Sequence, residues 1–300
     1  MVFPVSGVEV NPAIPFAVAF AVSFFTSMGG VSGAFLLLPY QVSFLGYTAP
    51  SVSATNQVFN IVAIPSGVFR FIREGRMVWP LVWAVIIGTL PGVFIGAWVR
   101  IEYLPDPKNF KVFVGCILLY IGTRLARDII KNRGGAGGKT NIGSKMRDTF
   151  VVSITRSSLK RVEFSFDEES FAYAPSIVLG ICFLVGIAGG IYGIGGGSIV
   201  APFFVAVLGL PVYAVAGAAL MGTFITSIAG VAFYHVLALF YTGTSVSPDW
   251  FLGFLMGSGG FAGIYLGARC QKYVPARIIK LVLCICVMVV AVRYLAGFFQ

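Results

Sequence analysis

The chain has 300 residues, 58% hydrophobic and 11% charged, with a mean hydropathy of +0.92 and a net charge of +10. A soluble domain keeps about a quarter of its residues ionisable, so this composition excludes an ordinary water-soluble protein. The positive charge lies between apolar blocks rather than inside them, as the positive-inside bias distributes it, and no nucleic-acid partner is expected.

Residues 1–12 carry Glu9 and no Lys or Arg, so the basic start of a cleaved signal peptide is missing and the first apolar segment is expected to stay. Residues 12–45 are apolar, but at ~1.5 Å per residue they reach only about 50 Å, too short for two crossings of a ~30 Å hydrocarbon core. Two short helices or a re-entrant hairpin are expected there, broken at Gly29-Gly30-Val31-Ser32-Gly33. Spans follow at about 53–69, 78–99 and 110–125. The polar stretch 131–173 comes next, with a flexible glycine-rich piece at 134–138 and a small β-hairpin over 150–155 and 161–166. Beyond it lie a second broken segment at 174–208 and spans at 212–241, 250–268 and 277–298. The long runs are apolar on every face, which lipid demands of a helix and which does not suit the alternation of a barrel strand. The five cysteines sit in or beside these runs without metal-ligand spacing and read as small buried hydrophobes, so no metal and no cofactor are expected.

The chain repeats itself. At an offset of 163, Gly30, Gly33 and Pro39 match Gly193, Gly196 and Pro202, and Gly67 matches Gly230. At an offset of 171, Trp79 matches Trp250, and Gly88, Gly92 and Gly96 match Gly259, Gly263 and Gly267. Residues 1–130 and 174–300 are therefore read as two membrane repeats, and 131–173 as the connection between them. Each repeat is a glycine-broken pair of short helices plus three spans, eight to ten membrane segments in all. The short pair enters and leaves on one side, so each repeat crosses an odd number of times and the two should be inverted. Arg70, Arg73 and Arg76 fill one loop, and Arg269, Lys272, Arg277 and Lys280 another, while the loop 242–249 holds no basic residue. This places the central connection inside and both termini outside, in a multi-pass plasma-membrane protein.

A helix that starts inside the membrane exposes unpaired N–H groups at the positive end of its dipole, a ready site for an anion. Gly195, Gly196, Gly197 and Ser198 would form one such start, and Gly30, Ser32 and Gly33 the other. The competing reading is that these glycines only let helices approach closely. Polar side chains within spans add Asn56, Gln57 and Asn60 in the first repeat and Thr223, Thr226 and Ser227 in the second, as substrate donors or as interhelical bonds. The small-residue ladders 88–96 and 259–267 read as packing. His235, the single histidine, reads as a satisfied polar contact rather than a proton relay. No acid stands inside a span, which disfavours a cation carrier, and no nucleophile–base pair suggests an enzyme.

The run Gly193-Ile194-Gly195-Gly196-Gly197-Ser198-Ile199-Val200-Ala201-Pro202, its partner 30–39, Gly75-Arg76-Met77-Val78-Trp79 and Asp249-Trp250 resemble the sulfite exporter TauE/SafE family. That resemblance implies a plasma-membrane carrier for sulfur-containing or organic anions such as sulfite or organosulfonates. The expected function is a secondary transporter working by alternating access. An anion channel, or a permease for a neutral small metabolite, is the alternative. The expected partners are a small anion and the lipid bilayer, and a homo-oligomer stays open.

Overall fold

The computed structural model of the protein describes residues 1–28, 32–75, 77–131, 153–157, 162–166, 169–208, 210, 212–241, 243–270 and 276–297. The first apolar segment forms two short helices, α1 (Ala13–Met28) and α2 (Ala34–Ser43). The polar span that follows is α3 (Ser51–Ala63) and α4 (Pro65–Arg73). Sequence reading gives one span here. Pro65 has no N–H and removes one ladder bond, but Ile64 between the two helices keeps right-handed helical angles, so the pair runs on as one rod. Then come α5 (Trp79–Glu102) and α6 (Pro107–Lys131). The second half supplies α7 (Pro175–Tyr192), α8 (Gly197–Val207), α9 (Val212–Leu237), α10 (Trp250–Cys270) and α11 (Ala276–Ala296). Of these, α5, α6, α7, α9 and α10 are long and apolar enough to cross a membrane.

The helices pair across the halves. α1 lies against α10 and α7 against α5; α3 packs on α10 and α9 on α5; α3 meets α9, and α6 meets α11. Exchanging the halves leaves this pairing unchanged. The glycine ladders explain the two closest contacts. A methyl at Gly92 or Gly96 would run into the carbonyls of Phe183 and Ile187 on α7, and one at Gly259 or Gly263 into those of Phe16 and Phe20 on α1. Only hydrogen at these positions lets the backbones meet. The opposite face of α5 exposes Trp83, Ile87, Ile95 and Trp98, an apolar stripe suited to lipid. Trp79 and Trp98, 19 residues and so about 28 Å apart, stand where interfacial tryptophans belong.

Several connections share one face of the bundle. The Ser6 amide and hydroxyl donate to Asp249, which also caps α10 by accepting from the Leu252 amide. Ser51 and Ser245 bond through backbone and side chains. The Arg100 guanidinium donates to the carbonyls of Leu104 and Thr48 and stacks 3.7 Å from the centre of the Phe110 ring. Tyr241 donates to Glu102, a bond that holds its hydroxyl above the usual phenol range. Arg70, Arg73 and Arg269 stand at the far ends of rods that begin on this face.

Three readings change. Arg100, one residue past the expected span 78–99, is wholly buried in the last turn of α5. Cys116 and Cys286 are exposed rather than buried, because both point off the outer faces of their helices. The expected hairpin gains a third strand: β1 (Ser153–Ser157), β2 (Val162–Phe166) and β3 (Glu169–Tyr173) form an antiparallel sheet in that order. Two strands alone are marginal, and β3 adds Phe171 and Tyr173 against Phe164. Residues 150–152, the tip of the hairpin at 158–161 and the stretch 134–138 lie outside the described residues.

Candidate functional site

The second glycine run breaks its helix as its composition requires. Gly193 ends α7 in a left-handed conformation (φ +79°), Gly195 repeats it (φ +72°), and α8 starts at Gly197. Other residues reach such φ values only with strain. Space also demands glycine: a methyl at Gly193 would strike the Ser53 backbone, one at Gly196 the Thr89 side chain, and one at Gly197 the Ala219 carbonyl.

A broken helix leaves carbonyls without donors on one side and amides without acceptors on the other. The carbonyls here are answered by one face of α3. Ser53, Asn56 and Asn60 donate to Ile191, Gly193 and Ile194 at 3.0, 3.1 and 3.0 Å. From α9, the Tyr234 hydroxyl donates to Gly190 at 3.3 Å. The three α3 residues stand at i, i+3 and i+7, which puts them on a common helical face.

The same asparagines reach the first break. Asn56 Nδ2 donates to the Ala34 carbonyl at 3.0 Å, and its Oδ1 accepts from Gln41 at 3.3 Å. Asn60 Oδ1 accepts from the Ser32 hydroxyl at 3.0 Å, and its Nδ2 also meets Ser227 Oγ at 3.4 Å. A further bond crosses between the halves. Pro39 lacks the N–H that would close the helical bond to Phe35, and the Tyr192 hydroxyl donates to that carbonyl instead, at 2.6 Å. The two broken segments therefore meet, with α3 between them.

Of the expected site residues, Ser32, Asn56, Asn60, Ser227 and the glycines 195–197 come together. A methyl on Gly195 would lie 3.0 Å from Ser227 Oγ, and one on Gly197 2.6 Å from Thr223 Oγ1. Thr223 and Thr226 turn their hydroxyls back to the Ala219 and Gly222 carbonyls one turn earlier. Gly33 caps α2 and lies against Ser23. Gln57 is buried with both amide atoms unpartnered among the described residues. Gly30 lies outside the described residues, and so does the side chain of Ser198, whose backbone belongs to the first turn of α8. His235 is exposed on α9.

Every side chain in this cluster is neutral. The residues that open α2 and α8, Gly33 and Gly196, have no side chain to cap the first turn, and Ser32 Oγ reaches only the Ala34 amide, at 3.4 Å. Neutral donors beside two helix starts can hold an anion through partial charges, without a fixed cation to trap it.

The family model described as sulfite exporter TauE/SafE matches residues 15–294. The chain belongs to this family. No curated protein and no solved structure matches it. As a TauE/SafE protein it is a multi-pass membrane protein of a transporter family, and the match runs through both breaks and every helix described above, short only of the first residues of α1 and the last of α11. Sequence reading of this TauE/SafE chain missed Gln41, Thr89, Tyr192 and Tyr234. Each is a polar group inside an apolar run, the same signal that marked Asn56, but a single polar side chain gives no spacing to weigh.

Proposed function

We propose that this protein is a secondary transporter that moves a small sulfur-containing or organic anion, of the sulfite or organosulfonate kind, by alternating access between two inverted repeats. The observation that carries the reading is the Asn56 amide, which joins the start of α2 to the break after α7 with bonds of 3.0 and 3.1 Å. Both discontinuous helices thus abut one polar side chain deep in an apolar bundle, the arrangement that inverted-repeat carriers use for their substrates. The pairing of helices, unchanged when the halves are exchanged, supports repeats at 1–130 and 174–300 with 131–173 as their connection.

The substrate's oxygens take the amides at the start of α8, over residues 195–198, and those around Ser32 and Gly33, with Thr223, Thr226 and Ser227 alongside. Asn56 and Asn60 hold the breaks apart from lipid and change partners as the repeats rock, because bonds to both segments cannot all survive a relative movement. The basic helix ends opposite the Ser6–Asp249 face support termini outside and the central connection inside.

The test is flux of sulfite into liposomes holding the purified full chain. Saturable uptake with counterflow is expected, cut roughly tenfold or more by Gly196→Ala, whose methyl would displace the start of α8 from Thr89. Flux that ignores Gly196→Ala and Asn60→Ala would remove the site; single-channel currents would replace the carrier by a pore.

A further inference from the structure

Both amide atoms of Gln57 are buried and unpartnered among the described residues. Turning the amide over changes nothing, since either way a donor group and an acceptor stay unused. The amide lies against Gly230 on α9, where a methyl would collide with its oxygen. Gly230 is three residues from Ser227, which takes the Asn60 amide and backs Gly195. Gln57 therefore stands one helical turn from the point where α3, α9 and the second break meet.

The repeat shows that packing does not call for glutamine here. At the offset of 163, Gln57 corresponds to Leu220 and Gly230 to Gly67. A methyl on Gly67 would lie 3.4 Å from Leu220 Cδ1, so the same contact of a side chain over a glycine is made twice. Leucine fills it once without polar atoms. Glutamine fills it the second time with groups that lipid cannot satisfy.

Resting on the anion-transport reading above, we propose that Gln57 contacts the substrate and selects anions that bring a hydrogen-bond donor of their own, such as a singly protonated oxyanion or a hydroxy- or amino-substituted sulfonate. A fully deprotonated oxyanion can only accept. It answers the Gln57 NH2 group and leaves the amide oxygen facing negative charge. Gln41 adds a second acceptor of this kind: its NH2 is committed to Asn56, and its oxygen is buried and unpartnered. An anion carrying O–H or N–H satisfies donor and acceptor together.

1-Propanesulfonate and 2-hydroxyethanesulfonate share charge and number of heavy atoms and differ by a methyl in place of the hydroxyl. With the full chain in liposomes, flux of the hydroxylated anion is expected to exceed that of its partner by at least about tenfold. Gln57→Leu, which installs the other repeat's own side chain, is expected to abolish that preference while its melting temperature holds or rises. Equal wild-type flux of the two anions overturns the selection role without recourse to any variant, and so does a preference that survives Gln57→Leu. Absence of flux for every anion, sulfite included, overturns instead the transport reading beneath it, and this proposal with it.

Discussion

Asn60 answers three groups at once: a carbonyl in the second break, a hydroxyl from the first and a hydroxyl on α9. Asn60→Ala leaves buried groups unpaired and is expected to cost about 1–3 kcal/mol, read as a lower melting temperature in detergent. Asn60→Asp should cost more, because a carboxylate would face the Ile194 carbonyl where an N–H now donates. The Tyr192 hydroxyl offers a sharper test. Tyr192→Phe leaves the Phe35 carbonyl bare and should cost about 1 kcal/mol. In a Pro39→Ala background the restored backbone N–H can close the helical bond, so the same change should cost clearly less. Equal costs in the two backgrounds, measured as a double-mutant cycle, would show that the hydroxyl does not stand in for the missing amide.

α5 shows how one apolar helix serves two neighbours. Its glycine face admits the backbone of α7 and its aromatic face meets lipid, so the two faces should tolerate change differently. Gly92→Leu and Gly263→Leu force α5 from α7 and α10 from α1, and are expected to abolish recovery of monodisperse protein by size-exclusion chromatography. Ile87→Leu on the exposed stripe should stay within about 0.5 kcal/mol of the parent. The breaks belong to this scale as well. Glycine spacing marked both in the sequence, and in the second Gly193 and Gly195 take left-handed angles that other residues reach only with strain. The partners of the freed carbonyls were not marked. Ser53, Asn56 and Asn60 could be put on one face of a helix by counting, but nothing local says which backbone that face will meet.

For the whole molecule, the hydrogen-bonded face that gathers Ser6, Ser51, Arg100, Ser245 and Asp249 opposes the basic ends of α4 and α10. In a background stripped of native cysteines, a membrane-impermeant thiol reagent added outside intact cells should label Ser245→Cys and spare Arg73→Cys. Labelling of both, or the reverse pattern, would overturn the proposed orientation. Composition, the two glycine breaks, the internal offsets and the membrane class were legible in the residues alone, because length, hydropathy and glycine's conformational freedom act within a few turns of chain. The exchange of partners between halves, the asparagine bridge between the breaks, the burial of Arg100 and the orphaned amide of Gln57 were decided only by tertiary packing. Each depends on which carbonyl, ring or glycine arrives from dozens or hundreds of residues away.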